Sequence, residues 1–510
     1  MARPATALCV SLMPRTTDEG LALLDGLARP ARDAASAGAA SLMAEIRLDA
    51  MRGFDLARLL GRRPCPLIAT CRPRREGGLY DGDESARLDV LRQAARLGAD
   101  YLDIEHDAIG ALGPVPARRI VSYHNHAETP ADLGTIHARL AETGADVVKV
   151  AVTARHILDT VAVLRLLRDA RKPTIALSMG PRGMLTRILA PKFGAFLTYA
   201  GADKSEREAG PGQVSLTQMR GLYRTDRLGP ATRVFGVIAD PVGHSLSPAI
   251  HNAAFAELGL DAVYLPFWVE GDPAAFVRAM REFAFDGYSV TIPHKQAVMA
   301  ALDEIETLAR RIGAVNTVQR RPDGRLFGTN TDISAGLASI EAVVGAGWLR
   351  GKRAFILGAG GVGRAMAFGL AQAGAAVTLT DIDAARAKAV AHEIGAAAVA
   401  ADAVESEIRN PKSEIRILLN CSPVGMHPKV DESPVPKAAL RRDLVVYDAV
   451  YNPLETRLIR EARQAGCRTI AGIDHFVRQA VEQFELWTGR PAPVETMRQV
   501  VVEALSKAGA

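Results

Sequence analysis

Across residues 5–225, short apolar runs rich in β-branched side chains alternate with longer stretches whose apolar positions recur every three to four residues. The short runs predict eight strands, at 8–13, 42–48, 67–72, 101–105, 120–124, 147–153, 174–179 and 196–199. The longer stretches predict the helices between them. Residues 84–97 stop at Gly98 and 132–143 at Gly144, since glycine just past the last turn closes a helix in the left-handed conformation. Eight such units in about 220 residues predict a closed (β/α)8, or TIM, barrel near the lower size limit of that fold. Residues 107–118 are too short and too rich in Gly and Pro for an ordinary fourth helix, which is expected to be missing or one turn long.

A barrel of this kind carries its chemistry where the strands end at the C-terminal rim. The polar residues interrupting the apolar runs fall at or near that end: Glu45 and Arg47 on the second strand, Arg72 on the third, Glu105 on the fourth, His124 on the fifth and Lys149 on the sixth. With the period-2 alternation of a strand, Lys149 can point inward with Val147 and Ala151. Poor solvation and neighbouring arginines favour the neutral amine there, the form that attacks carbonyls. Two plainer readings stand beside this one: a lysine snorkelling to solvent from a strand end, and a His124 that only packs.

The polar stretch 225–232, with Gly229-Pro230, ends the barrel pattern, and a strand at 234–238 begins a second α/β series. Further on, a strand at 354–357 runs into Gly358-Ala359-Gly360-Gly361-Val362-Gly363, then an Ala-rich helix to Ala373, then a strand at 376–380 closed by Asp381. Gly358, Gly360 and Gly363 fit GxGxxG in its strand–turn–helix setting, where backbone amides and a helix N-terminus approach a pyrophosphate. A dinucleotide-binding Rossmann domain is therefore expected. Before it lie further polar motifs: Gly243-His244-Ser245-Leu246-Ser247-Pro248, a strand at 288–292 running into Pro293-His294-Lys295, Gly313-Ala314-Val315-Asn316-Thr317, and Gly328-Thr329-Asn330-Thr331-Asp332. Taken singly, each is also ordinary cap or turn chemistry. A polar run at 404–416 repeats Ser-Glu-Ile-Arg at 406–409 and 413–416 and reads as a surface insertion with no assigned function.

Composition narrows the function classes. At about 150 residues per domain, the 510 residues predict roughly 3.4 domains, so more than one core is expected. Apolar residues at 48% and charged residues at 23% exclude disorder and fibre. A net charge of +5, with no long run of like charges, gives no electrostatic support for binding nucleic acid or a membrane surface. Cys9, Cys65, Cys71, Cys421 and Cys467 have no CxxC spacing, so neither a disulfide framework nor a metal site is expected. The apolar start at 5–13 is too short for a membrane span and lacks a signal-peptide cleavage pattern. A cytoplasmic, unprocessed chain is expected.

Five separated motifs in the first half, in order, resemble type I 3-dehydroquinate dehydratase. They are Ala44-Glu45-Ile46-Arg47-Leu48-Asp49, Thr70-Cys71-Arg72 with Glu76-Gly77-Gly78, Ser122-Tyr123-His124 with Thr129-Pro130, Val148-Lys149-Val150-Ala151, and Pro211-Gly212-Gln213. The resemblance implies a Schiff base between Lys149 and the C3 ketone of 3-dehydroquinate, with His124 taking the C2 proton and returning it to the departing C1 hydroxyl. It implies that Arg187 binds the substrate carboxylate and that Ser11, Glu45, Arg47, Arg72 and Gln213 hold its hydroxyls and other polar groups. One position departs from the family pattern: Ala209 stands where a serine is common, which removes a hydrogen bond from a lid loop.

The motifs of the second half resemble shikimate dehydrogenase. The resemblance continues through Asn420-Cys421-Ser422-Pro423-Val424-Gly425-Met426, Asp448-Ala449-Val450-Tyr451-Asn452-Pro453 and Phe476-Val477-Arg478-Gln479-Ala480. It implies that Lys295 and Asp332 form a catalytic dyad, and that Ser245 and Ser247 bind the substrate carboxylate. Thr291, Asn316, Tyr451 and Gln479 would make the other substrate contacts. Gly358, Ala359, Gly360, Gly361, Val362 and Gly363 would hold the dinucleotide, with Met426 and Gly472 near the nicotinamide. NADP is the cofactor by resemblance. However, Asp381-Ile382-Asp383 replaces the family's Asn-Arg-Thr, and a carboxylate there accepts hydrogen bonds from a ribose 2′-hydroxyl and repels a 2′-phosphate. NAD is therefore expected to be accepted or preferred, with Arg386 available to rescue NADP.

Together the two resemblances imply a bifunctional shikimate-pathway enzyme that dehydrates 3-dehydroquinate and then reduces 3-dehydroshikimate. The expected division is a barrel at 1–228, a substrate lobe at 232–335, a Rossmann domain at 336–473, and C-terminal helices at 474–510 returning to the substrate lobe. The expected partners are these small substrates, with no metal; no oligomeric state follows. Two alternatives remain: a class I aldolase-type barrel fused to a quinate dehydrogenase, and a quinate/shikimate dehydrogenase carrying a non-catalytic scaffold barrel.

Overall fold

The computed structural model describes residues 5–36, 40–203, 211–243, 245–410 and 414–508. The chain divides into two compact units, Met1–Arg233 with Asp261–Glu270, and Val234–Leu260 with Gly271–Ala510.

In the first unit, eight strands form one parallel sheet: β1 (Ala7–Leu12), β2 (Leu42–Arg47), β3 (Leu67–Thr70), β4 (Tyr101–Glu105), β5 (Arg118–Asn125), β6 (Val147–Thr153), β7 (Thr174–Met179) and β8 (Leu197–Gly201). Their order is β7-β6-β5-β4-β3-β2-β1-β8. Where the sheet curls round, the Phe196 N–H donates to Thr174 O at 2.8 Å and joins the starts of β7 and β8. This is the expected barrel, nearly closed. The third strand stops at Thr70, so Arg72 lies in the loop beyond it. The fifth starts early, at Arg118, because Arg118 and Arg119 pair with Tyr101 and Leu102 through the backbone, which no apolar pattern reports. After β4 the helix is Ile109–Leu112, a single turn.

Alternation along the strands builds the interior in layers. Ala7, Cys9, Met43, Ile68, Tyr101, Ile120, Val147, Ile175 and Leu197 pack together as an apolar floor. Two residues further along their strands come Glu45, Thr70, Asp103, Ser122, Lys149 and Tyr199, all buried. The barrel interior therefore turns from apolar to polar toward the C-terminal rim.

In the second unit, β9 (Arg233–Ala239), β11 (Gly287–Val290), β13 (Thr317–Arg320), β14 (Leu326–Thr329) and β12 (Glu304–Ile305) lie side by side in that order. Strand β10 (Ala262–Trp268) falls in the segment assigned to the first unit. A second, all-parallel sheet comprises β15 (Arg353–Leu357), β16 (Ala376–Thr380), β17 (Ala397–Ala398), β18 (Ile415–Asn420), β19 (Val445–Asp448) and β20 (Arg468–Ile470), in the order β17-β16-β15-β18-β19-β20. Strand order reverses between β15 and β18, the switch point at which open α/β sheets bind ligands. The helix Gly472–Thr488 packs on Thr331–Val344, and Val494–Ala508 packs on Ser247–Glu257.

The run 404–416 is not a surface insertion. Its first half forms the helix Val404–Arg409, and Ile415 opens β18. Ile408 and Ile415, 0% and 4% exposed, share one apolar cluster with Phe355, Leu418 and Val446. The flanking charges conceal two core isoleucines. Among the described residues, no helix is long and apolar enough to cross a membrane, and no group of three His, Cys, Asp or Glu side chains is placed to hold a metal.

Candidate active sites

At the C-terminal rim of the barrel lies a cavity of about 350 Å³. Ser11, Glu45, Arg47, Arg72, His124, Lys149, Arg187 and Gln213 all line it. Lys149 Nζ stands 2.6 Å from Asp103 Oδ2 and 3.7 Å from Glu45 Oε1, and 4.7 Å above the Tyr199 ring. Its nearest charged neighbours are thus carboxylates, whereas the sequence pattern suggested arginines. Asp103 Oδ1 is 2.7 Å from Arg72 Nη2, and Arg72 also pairs with Glu105. Glu105 Oε2 in turn is 2.8 Å from Arg87 Nη1, a fully buried guanidinium of the helix Glu84–Arg96. Burial pushes the Asp103 pKa up, but Arg72 and Lys149 outweigh it and hold the carboxyl well below its usual range.

Glu45 accepts hydrogen bonds from the Ser11 and Thr70 hydroxyls, and Arg47 is held by both oxygens of Asp49 at 2.9 and 2.8 Å. Arg187 is buried, and Gln213 Nε2 donates to Ala200 O at 3.3 Å. Glu76 Oε2 lies 3.0 Å from both the backbone nitrogen and Nδ1 of His124. Burial, then the charges of Arg72 and Lys149, push the imidazole pKa well below 6.5, while burial raises Glu76 to about 7. A tight turn brings Glu76 here: Gly77 has φ +74°, and a Cβ on it would meet His126 Nε2 at 2.1 Å. Ala209 lies outside the described residues.

In the second unit, Lys295 Nζ is 2.6 Å from Asp332 Oδ2. Asp332 sits in the first turn of the helix Thr331–Val344, its backbone N–H capped by Asn330 Oδ1 at 3.1 Å. Burial pushes its pKa up, but Lys295 and His475 outweigh this and hold the carboxyl below its usual range. Asn316 Oδ1 accepts the Thr331 N–H at 2.8 Å, and its Nδ2 donates to Thr331 Oγ1 at 3.1 Å. That amide braces the turn that carries Asp332. Ser245 Oγ accepts the N–H of Ser247, which opens the helix Ser247–Glu257. Thr291 follows the end of β11. Tyr451 stacks on Phe476 at 4.1 Å, and Gln479 Nε2 donates to Phe476 O at 2.9 Å. His244 lies outside the described residues.

The glycine-rich turn joins β15 to the helix Gly361–Gln372. A Cβ on Gly363 would lie 1.8 Å from Gly358 O, so only glycine lets the helix pack this closely on the strand, while nothing lies within 4 Å of a Cβ on Gly360. This open, close-packed cradle fits a dinucleotide pyrophosphate. A Cβ on Gly361 would lie 3.6 Å from Lys295 Cδ, so the turn and the lysine share one cleft. Val362 follows in the first turn of the helix. Asp381, after β16, accepts the Ala359 N–H at 2.7 Å and the Asp383 N–H at 2.8 Å. Met426 is exposed, and Gly472 opens the helix Gly472–Thr488.

Both halves of the chain match known families. Residues 8–230 match the model of type I 3-dehydroquinase, 237–318 that of the shikimate dehydrogenase substrate binding domain, and 472–502 that of the shikimate 5′-dehydrogenase C-terminal domain. The chloroplastic bifunctional 3-dehydroquinate dehydratase/shikimate dehydrogenase of Arabidopsis thaliana is 40% identical over 484 residues, 90% of this chain and 79% of the plant one. The chain belongs to the bifunctional 3-dehydroquinate dehydratase/shikimate dehydrogenase family. It joins a lyase to an oxidoreductase of the shikimate pathway. The shikimate dehydrogenase (NADP(+)) of Moorella thermoacetica is 43% identical over 282 residues, 54% of this chain and 94% of its own. The crystal structure of the Listeria monocytogenes shikimate 5-dehydrogenase with shikimate and NAD superposes with a TM-score of 0.50 at 33% identity, covering 54% of this chain and 98% of that one.

Several residues around the dehydratase and dehydrogenase sites escape the sequence motifs. Asp103 and Tyr199 touch Lys149, whereas Glu76, which touches His124, does fall in one of the motifs. For Asp103 the signal was present: it alternates with Tyr101 and Glu105 on an otherwise apolar strand. In the dehydrogenase half, His475 Nε2 lies 3.7 Å from Asp332 Oδ1, and no motif marks it. Its one trace is a position four residues before Gln479, on the same helix face.

Proposed function

We propose that Lys149 forms the Schiff base and His124 moves the proton in the dehydratase half, and that Lys295 and Asp332 transfer the proton in the dehydrogenase half. The observation that carries this is a buried lysine, ringed by Asp103, Glu45 and Tyr199, sharing one cavity with an imidazole that burial keeps neutral. The Lys149 amine adds to the C3 ketone of 3-dehydroquinate and water leaves, giving an iminium. The iminium draws electrons from C2, and His124 takes the C2 proton. The enamine then expels the C1 hydroxyl, which leaves as water with the proton His124 returns. Hydrolysis of the iminium frees 3-dehydroshikimate and Lys149. Arg187 pairs with the substrate carboxylate through its bidentate fork, and Ser11, Glu45, Arg47, Arg72 and Gln213 hold the remaining groups.

In the dehydrogenase half a dinucleotide held at the glycine-rich turn would supply the hydride for the carbonyl carbon of 3-dehydroshikimate. Lys295 gives a proton to the carbonyl oxygen, and Asp332 orients the ammonium from 2.6 Å. Ser245 and Ser247 take the substrate carboxylate; Thr291, Asn316, Tyr451 and Gln479 frame the ring. Residues 358–363 receive the pyrophosphate, with Met426 and Gly472 beside the nicotinamide. NAD is accepted, because Asp381 presents a carboxylate where the ribose 2′-hydroxyl is read. The residue division is a barrel at 1–228, a substrate lobe at 232–335, a Rossmann domain at 336–473 and returning helices at 474–510. Five free cysteines favour a reducing, cytoplasmic setting.

Borohydride reduction of the full-length protein with 3-dehydroquinate, followed by peptide mapping, tests the barrel chemistry. The expected result is a substrate adduct on Lys149. A folded protein labelled elsewhere, or not at all, would remove the Schiff-base step.

A further inference from the structure

The helix Gly472–Thr488 carries a group that no step above uses. His475 is 6% exposed, and its Nδ1 lies 2.5 Å from the hydroxyl of Tyr447 on β19. Its Nε2 faces Asp332 Oδ1 at 3.7 Å, the carboxylate oxygen that Lys295 does not take. Tyr447 is fully buried, and burial followed by the nearby Cys421 and Asp332 raises its phenol pKa well above normal, so it stays an O–H donor. An N–H on Nε2 is the form that suits the facing Asp332 carboxylate, and a phenol donating to Nδ1 is compatible with it.

We propose that His475 is a positioning residue of the dehydrogenase: it holds Asp332 so that Oδ2 meets the Lys295 ammonium, and Tyr447 holds the imidazole in turn. The inference rests on reading Lys295 and Asp332 as the proton-transfer dyad. Asp332 held by Lys295 alone is free to swing its carboxylate about the terminal torsion. A contact on the second oxygen removes that freedom, and a lysine displaced by about 1 Å at the reacting centre costs on the order of 10²-fold in rate. The imidazole is itself confined. The Tyr447 ring meets it edge-on, 6.0 Å between centroids at 90°. A Cβ on Gly336 would lie 3.4 Å from Nδ1, so the helix that carries Asp332 closes over the ring. The charged groups around it are Asp332, with Lys295 behind it, and Glu482, whose carboxylate takes the Ser334 hydroxyl. Asp474, next in the chain, is paired instead with Arg498 at 2.7 Å.

The test uses the full-length chain, following dehydroshikimate reduction and dinucleotide affinity in His475→Ala, His475→Gln, Tyr447→Phe and Lys295→Ala. His475→Ala is expected to lower kcat by about tenfold or more while KM and dinucleotide Kd move less than about threefold. His475→Gln, which keeps an N–H donor, is expected to recover most of kcat, and Tyr447→Phe to fall between. Should His475→Ala lose dinucleotide binding, Tyr447→Phe decides, since it keeps the packed ring. Unchanged kcat in His475→Ala, or equal losses in the Ala and Gln variants, with Lys295→Ala inactive, overturns the role of His475 and leaves the dyad standing. Full kcat in Lys295→Ala overturns the dyad and this inference with it.

Discussion

A carboxyl group with a pKa of about 7 beside an imidazole pushed well below 6.5 inverts the usual order of the two acids, and that inversion governs what Glu76 and His124 do together. Above that pKa the Glu76 carboxylate accepts Nδ1–H and leaves the Nε2 lone pair free to take a proton. Below it the protonated carboxyl donates to Nδ1, and the remaining ring proton blocks Nε2. Dehydratase kcat is therefore expected to rise with pH through about 7, and the Glu76→Gln variant to be slower and level across that window. A kcat–pH profile of the two proteins checks this; a variant that still titrates there would clear Glu76 of the role. Little of this pairing is legible in the sequence. Lys149 and His124 stand out because they interrupt apolar strands at the rim. Glu76 sits in a loop among other charges, 48 positions from His124, and only barrel closure and the Gly77 turn bring the two together. Asp103 lay in plain alternation, but which cation it serves depends on the inward geometry of three different strands.

At the scale of elements, strand and helix positions followed from periodicity because each barrel strand needs one buried face and each helix one apolar stripe. The reading failed where charge and burial coexist. The same Ser-Glu-Ile-Arg text ends a helix once and leads into a central strand once, and in both copies a single isoleucine lies in the core. The loop after β16 raises a related question, because the proposed acceptance of NAD rests on its charge. Asp381 spends both oxygens on the N–H groups of Ala359 and Asp383, and Arg386 pairs with Asp383 at 3.2 Å while standing 3.9 Å from Asp381. The carboxylate thus shapes the loop as well as setting its charge. Asp381→Asn keeps one acceptor and removes the repulsion, so the ratio of kcat/KM for NAD over that for NADP is expected to fall by about tenfold. Steady-state kinetics with both cofactors measures it, and a strong NADP preference in the parent protein would defeat the reading of Asp381 itself.

Over the whole second unit, two buried groups pull acid stability in opposite directions. His251 lies in the core beside Trp487 and Phe255, and burial lowers its pKa to about 3, only partly offset by Gln483. The unfolded imidazole titrates near 6.5, so below that pH the unfolded chain binds a proton the fold refuses, and stability falls with pH by about 1.4 kcal/mol per unit. Asp448 behaves oppositely. Burial raises its carboxyl to about 6 against the hydrogen bonds of Thr456, Val450 and Asn420. Its unfolded value is near 3.9, so between these values the fold binds the extra proton, and stability grows by a similar amount per unit as pH falls. Asp332, held low by Lys295 and His475, loses its contribution only below about pH 4. His251 and Asp448 therefore cancel between about pH 4 and 6, and the unit is expected to be nearly level there. Replacing His251 by Phe, an apolar ring for the same aromatic surroundings, removes one arm of the balance. The urea midpoint of His251→Phe, followed by tryptophan fluorescence, is expected to rise relative to the parent as pH drops from 6 to about 4.5. Parallel midpoints in the two proteins would mean that the fold admits the His251 proton after all.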